Sequence, residues 1–305
     1  VYFRVNSVES YGKLSNQQVE DLLVGARIDE NSKKENPLDF TLWKKTEEGI
    51  QWDSPWSVGR PGWHTECVVM INQEFHGEHT IDIHGGGQDL KFPHHENEIA
   101  QSMACHHHPI AHIWMHNQMI NINNQKMSKS LGNVLWAKDL LEQLGCNVYK
   151  WLMLSTHYRN PLNFTDEVLN NVKKEVEKVE NIIKQVSLYL QIQHIDHKDY
   201  YKNIVDQMVE ALSDDLNTSL ALSQILGQVK VLNQLMRVKE KDDLEISKNY
   251  QTLLCMLDTM GFVYNPKQLS DSEIALYQQW QKEKSAKNFE QADLLRQELQ
   301  NKGIL

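Results

Sequence analysis

Two halves of different composition meet near residue 165, and this division constrains the fold more than any other feature. Seven of the eight tryptophans precede residue 152, and the only proline after residue 161 is Pro266. In the first half, short apolar runs at 80–84 and 110–115 alternate with Gly- or Pro-bearing turns, which is typical of an α/β domain. The second half is predicted to be an all-α helical bundle.

The helical half can be divided further from its apolar spacing. Thr165 is a predicted N-cap, and apolar residues at three- and four-residue intervals predict a helix over 172–190. Polar residues 191–200 are expected to form a connection. Amphipathic patterns then predict helices within 205–237 and 250–260 and a closing helical pair over 273–302.

Composition excludes several classes of protein. A net charge of −10 argues against indiscriminate coating of nucleic acid, and no apolar run is long enough to cross a membrane. Four scattered cysteines do not suit a disulfide scaffold, so we expect a cytoplasmic protein. Residues 1–5 alternate like a strand and begin without methionine, which predicts that part of the fold precedes Val1.

The segment 126–133, KMSKSLGN, is the sharpest local signal. Two lysines, Lys126 and Lys129, flank small hydroxyl residues and are followed by Gly132. Such a loop can stabilise phosphate charge through ammonium groups and backbone N–H donors. A basic turn that merely faces solvent is the ordinary alternative for two lysines at this spacing.

A second constellation offers metal ligands. Cys67 lies in GRPGWHTEC, and His94 and Glu98 lie in FPHHENE. Since Pro93 suits the first turn of a helix, His94 and Glu98 are predicted to share one helical face. A thiolate, an imidazole and a carboxylate form a plausible zinc set. A buried cysteine and a His-rich surface helix remain the alternative from spacing alone.

Taken in order, the strings GRPGWHxEC, DIHGGGxDLxFPHHENE and KMSKSLGN resemble the cysteinyl-tRNA synthetases, a family of class I aminoacyl-tRNA synthetases. The resemblance implies the C-terminal part of a Rossmann-like catalytic domain followed by an all-α bundle. We expect the catalytic part with the zinc pocket and signature loop over 1–135, a stem-contact region over 136–200, and an anticodon-binding domain over 201–305. The family's HIGH motif is absent from the chain, so the chain by itself is expected to be inactive.

The resemblance also implies roles for individual residues. Zinc (Zn2+) would be held by Cys67, His94 and Glu98, with the family's fourth ligand lying ahead of Val1. Trp63 and His84 would line the cysteine pocket. Gly86 and Gly87 would allow close approach of the backbone to ATP, and Asp89 would bind the ribose. Lys126 and Lys129 would bind the phosphates.

The implied reaction is ATP- and Mg2+-dependent ligation of L-cysteine to tRNA(Cys) through a cysteinyl-adenylate. Zinc would separate cysteine from serine by its bond to the thiolate, because an apolar pocket discriminates poorly between such similar molecules. Two alternatives are a cysteine-activating ligase of mycothiol synthesis and a non-catalytic RNA-binding fragment derived from a synthetase. The predicted helical half favours the tRNA enzyme over the mycothiol ligase.

Overall fold

The computed structural model describes residues 1–16, 34–76, 80–128 and 131–305. It divides into two compact units, an amino-terminal unit Val1–Met119 and a carboxy-terminal unit Ile120–Leu305. Each unit buries its own apolar side chains.

In its described residues, the amino-terminal unit contains three pairs of strands and two helices. Antiparallel pairing joins the first strand to the second and the third to the fourth, whereas the fifth and sixth strands are parallel. The strands are β1 (Tyr2–Phe3), β2 (Phe40–Thr41), β3 (Trp43–Lys45), β4 (Gly59–Pro61), β5 (Ile81–Gly87) and β6 (Ala111–Asn117), and the helices are α1 (Trp63–Glu74) and α2 (Glu96–His106).

Strands β5 and β6, which correspond to the apolar runs at 80–84 and 110–115, run from Ile81↔Ala111 to Gly87↔Asn117. Helix α2 lies between them in sequence, as expected for the crossover that parallel strands require. Both strands therefore end at the same edge of the pair. In α/β sheets this carboxyl edge is where ligands bind.

The strand predicted over residues 1–5 is shorter than expected. Only Tyr2 and Phe3 pair with β2, and residues Val5–Ser7 form a 3-10 turn. The turn is favoured because the Val5 N–H donates to the buried carboxylate of Asp39 at 3.0 Å instead of to a neighbouring strand. Apolar alternation alone did not reveal this side-chain acceptor.

The carboxy-terminal unit begins with a three-stranded sheet, ordered β8-β7-β9, and continues as helices. The strands are β7 (Ile120–Ile122), β8 (Gln125–Lys126) and β9 (Leu162–Phe164). The helices are α3 (Ala137–Leu144), α4 (Cys146–Leu154), α5 (Asp166–Ile192), α6 (Lys202–Ser213), α7 (Thr218–Arg237), α8 (Asp243–Thr259), α9 (Asp271–Ser285) and α10 (Phe289–Asn301). The predicted helical half is confirmed.

Local sequence signals explain where these helices begin. The Thr165 hydroxyl accepts from the Val168 N–H at the start of α5, as predicted. Asn217 and Asp242 cap α7 and α8 in the same way, and Ser270 forms a capping box with Glu273. The shared core includes Trp151, Ile225 and Leu253, none of which is exposed. Within the described residues, no helix is both long and apolar enough to span a bilayer.

Candidate metal centre and phosphate-binding loop

Helix α1 carries Cys67, and two glycines fix where this helix begins. A Cβ atom on Gly62, the N-cap, would lie 1.9 Å from the carbonyl oxygen of Thr41. A Cβ atom on Gly59 would lie 2.2 Å from the carbonyl oxygen of Lys44. Because only glycine permits these approaches, Gly59 holds β4 against β3 and Gly62 holds the start of α1 against Thr41 of β2, which together position Cys67.

His94 and Glu98 lie one helical turn apart where α2 begins. Residues Lys91–His95 form a kinked turn, in which Phe92 is extended (φ −137°, ψ 134°), and this turn runs directly into α2. His94 and Glu98 therefore share a face, as the sequence predicted. Nε2 of His94 lies 2.8 Å from Oε1 of Glu98. His94 is 5% exposed and Glu98 is not exposed at all. A carboxylate this deeply buried requires a compensating partner.

Cys67, His94 and Glu98 converge on one point. Sγ of Cys67 lies 3.5 Å from Nε2 of His94, and the three ligand atoms all lie within 4.8 Å of one another. The structure thus brings together the three residues for which the sequence predicted a shared ion. Their spacing suits a small cation bound between them.

The chemistry of the three groups fits a cation. Although imidazole nitrogens lie close to Glu98, neither carboxylate oxygen has a hydrogen bond of ordinary geometry within the part of the chain that is described. Burial and the nearby charge of Glu98 raise the pKa of Cys67 to about 11. Burial lowers the pKa of His94, which favours the neutral ring that a metal ion requires. A divalent ion would offset the acidic charge and favour the thiolate.

His84, the predicted pocket residue, also reaches this carboxylate. Its Nε2 lies 2.9 Å from Oε2 of Glu98, and its ring packs edge-on against Trp114 with centroids 4.8 Å apart. His84, His95 and Glu98 form a second grouping with metal-ligand spacing. Glu98 is therefore shared by two possible donor sets, a feature that sequence spacing did not reveal.

Trp63 borders the centre from the first turn of α1. Its ring centroid lies 4.5 Å from that of His94, and the side chain is largely exposed. Trp63 could therefore form one wall of a pocket beside a bound ion.

Two further histidines, His64 and His95, lie beside the candidate ligands. Nδ1 of His64 lies 2.7 Å from Nδ1 of His94, leaving Nε2 of His94 to face Cys67 and Glu98. Nδ1 of His95 lies 2.8 Å from Nε2 of His116. Burial lowers the pKa of both His64 and His95 to about 4, so both rings are neutral near pH 7. Contacts of this kind fix the tautomer and orientation of a metal-binding imidazole.

The glycine run assigned to ATP ends β5 at the ligand-binding edge. A Cβ atom on Gly86 would lie 2.7 Å from Cε1 of His95, and one on Gly87 would lie 2.6 Å from Oδ1 of Asp89. Asp89 is exposed in the turn that follows β5. A glycine is therefore needed at position 86 to leave room for the ring of His95, in addition to any nucleotide that approaches it.

In the described part of the KMSKSLGN segment, the side chain of Asn133 bonds to the backbone of Lys126 and Ser128. Its Oδ1 accepts from the Ser128 N–H at 2.9 Å, and its Nδ2 donates to the Lys126 carbonyl at 3.2 Å. Gly132 has a φ of +67°, which favours glycine. Lys126 is exposed at the end of β8, whereas Lys129 lies outside the described residues. Gly132 and Asn133 thus have a structural role in this segment, which the argument from phosphate binding did not predict.

Comparison with known proteins places these features in a family. Residues 1–174 match the model of the tRNA synthetases class I (C) catalytic domain, and residues 207–264 match the DALR domain. The chain is 43% identical to a cysteine–tRNA ligase of Acholeplasma laidlawii over 305 residues, which covers the whole chain and 68% of that relative. The chain belongs to the cysteine–tRNA ligase family.

Other family members show the same extent of similarity. A cysteine–tRNA ligase of Mesoplasma florum is 42% identical over 308 residues, covering the whole chain and 69% of the relative. The chain thus spans about two thirds of the length of these ligases. The domain matches also account for the change in composition along the sequence. The α/β part falls in the catalytic domain, and the helices from α6 to α8 fall largely in the DALR domain.

A solved structure supports the class I synthetase fold. Methionyl-tRNA synthetase of Mycobacterium tuberculosis, in complex with methionyl-adenylate, aligns with a TM-score of 0.58 at 14% identity. The alignment covers 90% of this chain and 58% of that chain. At this identity the likeness concerns the fold alone, and it agrees with a Rossmann-like catalytic part followed by helices.

Proposed function

We propose that this member of the cysteine–tRNA ligase family recognises L-cysteine through a zinc ion, activates it with ATP and ligates it to tRNA(Cys). The observation that carries the proposal is the convergence of Cys67, His94 and Glu98 within 4.8 Å of one another. Their mixed sulfur, nitrogen and oxygen donors suit zinc better than magnesium or calcium, which prefer oxygen alone.

The difficulty for such an enzyme is to reject serine. Serine and cysteine differ by one atom, and an apolar pocket separates similar side chains by roughly a hundredfold. Bound zinc would supply a soft Lewis acid that favours a substrate thiolate over a neutral hydroxyl. Cys67, His94 and Glu98 would hold the ion, while His84 and Trp63 would border the substrate.

The nucleotide is proposed to lie along the carboxyl edge of β5. Gly86 and Gly87 present backbone without side chains, and Asp89 offers a carboxylate suited to ribose hydroxyls. Lys126 and Lys129 would stabilise the phosphates of ATP, which enters as its Mg2+ complex, during formation of the cysteinyl-adenylate. The Asn133 contacts described above would keep Lys126 at the base of this loop.

A tRNA partner is supported by the helical carboxy-terminal unit. The DALR domain match over 207–264 lies within it, and the relatives named above are tRNA ligases. A ligase that transfers cysteine to an amino sugar would have no need of an anticodon-binding domain. The tRNA reaction is therefore the proposal that uses both halves of the chain.

Cobalt substitution tests the metal and its specificity together. The chain, loaded with Co2+ in place of zinc, should show a thiolate-to-cobalt charge-transfer band from Cys67. Addition of L-cysteine should intensify this band because a second thiolate binds, whereas L-serine should leave it nearly unchanged. An identical response to both amino acids would contradict zinc-based recognition.

A matched pair of variants assigns the band to its ligand. Cys67→Ser should abolish it and lower zinc content, while Cys105→Ser, which alters an exposed cysteine on α2, should behave as wild type. Retention of both the band and full zinc content in Cys67→Ser would rule out the proposed site.

A further inference from the structure

Two cations face each other on the β3–β4 ladder. Lys44 pairs directly with Arg60 in the antiparallel register, so their side chains lie on the same face of the ladder. Both residues are exposed. Like charges directly opposite each other destabilise a pair of strands. The arrangement therefore carries an energetic penalty that a bound anion would remove.

Within the described residues, neighbouring carboxylates do not offset this charge. Glu47 pairs instead with Lys45, on the opposite face of β3, at 3.6 Å. Among the described carboxylates, none lies within salt-bridge distance of Lys44 or Arg60. In a chain of net charge −10, this pair forms a local cationic surface against an acidic background.

The backbone beneath the two cations is held closely. The Gly62 N–H donates to the Leu42 carbonyl at 2.8 Å, and Gly59 exchanges backbone hydrogen bonds with Trp52 at 2.8 and 3.0 Å. The close approach of Gly59 to the Lys44 carbonyl adds to this constraint. Lys44 and Arg60 thus extend from a fixed platform, which lowers the entropic cost of holding a ligand between them.

The two cations line a cavity of about 210 Å³ that adjoins the candidate metal centre. Its lining includes Lys44, Arg60, Trp63 and His64, and within the described part of the chain no carboxylate contributes to it. Trp63 and His64 both contact His94, so one wall of the cavity is shared with the candidate zinc site. A ligand held here would lie beside bound cysteine.

We infer that Lys44 and Arg60 bind backbone phosphates of the single-stranded 3′ end of the tRNA, with the exposed indole of Trp63 facing an unpaired base. This inference rests on the proposed function, since the RNA end that accepts cysteine must approach the cysteine pocket. Cations that follow the backbone, combined with an aromatic face for a base, are typical of single-strand binding. The open strand surface also suits a chain of phosphates better than an enclosed mononucleotide.

Binding of a labelled RNA hairpin with a single-stranded 3′ overhang tests the site directly. In fluorescence anisotropy, Lys44→Glu should weaken binding by about tenfold, the loss expected for one charge-assisted contact. The slope of log affinity against log salt should fall in magnitude by about 0.7, which corresponds to one lost phosphate contact to a single strand. Lys44→Arg should retain binding.

Lys45→Glu is the matched control, because it makes the same charge change at the adjacent position on the opposite face of β3. Affinity of this variant should stay close to wild type. Equal weakening by Lys44→Glu and Lys45→Glu would reduce the effect to bulk charge and overturn the inference. So would an unchanged affinity in Lys44→Glu, or a preference for a blunt hairpin over the overhang.

Two further measurements separate this inference from its rivals. A misfolded ladder is checked by thermal unfolding: Lys44→Glu places a carboxylate opposite Arg60, so its melting temperature should equal or exceed that of wild type. If Lys44→Glu impairs binding of ATP or pyrophosphate but not of the hairpin, the site serves a mononucleotide and the RNA assignment is wrong. The cobalt response to cysteine, read in parallel, reports on the proposed function independently of RNA.

Discussion

Glu98 is completely buried, and one of its oxygens lies 2.8 Å from Nε2 of His94, one helical turn earlier. A carboxylate in such a position is stable only if a cation or several donors compensate its charge. The Cys67 thiol on α1 completes the group across a sequence separation of 27 residues. The need for a bound cation therefore comes from the buried charge of Glu98 more than from the Cys67 thiol.

Removal of the negative charge of Glu98 should weaken metal binding without a large change in the shape of the side chain. Glu98→Gln is expected to lower zinc affinity by at least about tenfold, since a neutral amide is a poorer ligand than a carboxylate. Competition with a chromophoric chelator measures the affinity. Glu74→Gln, at the exposed end of α1, serves as the control and should bind zinc as wild type does. Unchanged affinity in Glu98→Gln would mean that this residue is not a ligand.

His84 distinguishes the two donor sets that share Glu98. If the ion lies at Cys67, His94 and Glu98, then His84→Asn should retain zinc while its response to cysteine weakens, because His84 would only border the substrate. Zinc content by elemental analysis and cysteine affinity by calorimetry give the two readings. Loss of zinc in His84→Asn, with normal retention in Cys67→Ser, would instead favour the His84, His95 and Glu98 grouping.

The parts of the centre that follow from local periodicity could be predicted from the sequence. His94 and Glu98 were assigned to one face by their spacing of four, and α5 was located by its apolar pattern and by Thr165. Cys67 was grouped with them by residue type, and the family resemblance then supported this grouping, because no local rule relates a residue on α1 to a residue on α2. The comparisons confirm that resemblance.

Contacts made by side chains across the fold could not be predicted. Nothing in the order of residues indicates that His64 would meet His94, that His84 would reach Glu98, or that Asp39 would convert the expected strand at Val5 into a turn. The cross-strand pair of Lys44 and Arg60 likewise depends on the register of β3 and β4, which is set by glycine packing. Periodicity specifies faces, whereas these pairs require three-dimensional packing.

Gly86 offers a test of how closely the histidines of the centre are packed. Gly86→Ala would bring a methyl group to within 2.7 Å of Cε1 of His95, so we expect destabilisation of about 1–3 kcal/mol from overpacking. Gly227, inside α7, has open space around its Cβ position. Gly227→Ala should therefore stabilise the protein by about 0.5–1 kcal/mol. Urea unfolding measures both, and a neutral Gly86→Ala would show that the His95 ring moves easily.

An ion-pair network in the carboxy-terminal unit gives a pH-dependent prediction. The guanidinium of Arg159 donates to Asp215, and the Tyr158 hydroxyl donates to the same carboxylate at 2.6 Å. These hydrogen bonds, that of Arg159 first, lower the pKa of Asp215 from 3.8 to about 2. A lowered folded-state pKa means that the carboxylate stabilises the fold above about pH 4 and that this contribution disappears as pH falls toward 2.

Asp215→Asn isolates this contribution, because asparagine tolerates the positive φ of 54° at this position. The variant should melt below wild type at pH 7, and the difference in melting temperature should shrink steadily between pH 4 and pH 2, where the wild-type carboxylate becomes protonated. Asp214→Asn removes the same charge from the preceding residue and provides the control. A melting difference for Asp215→Asn that persists unchanged to pH 2 would show that the residue acts through packing or backbone conformation instead of through its charge.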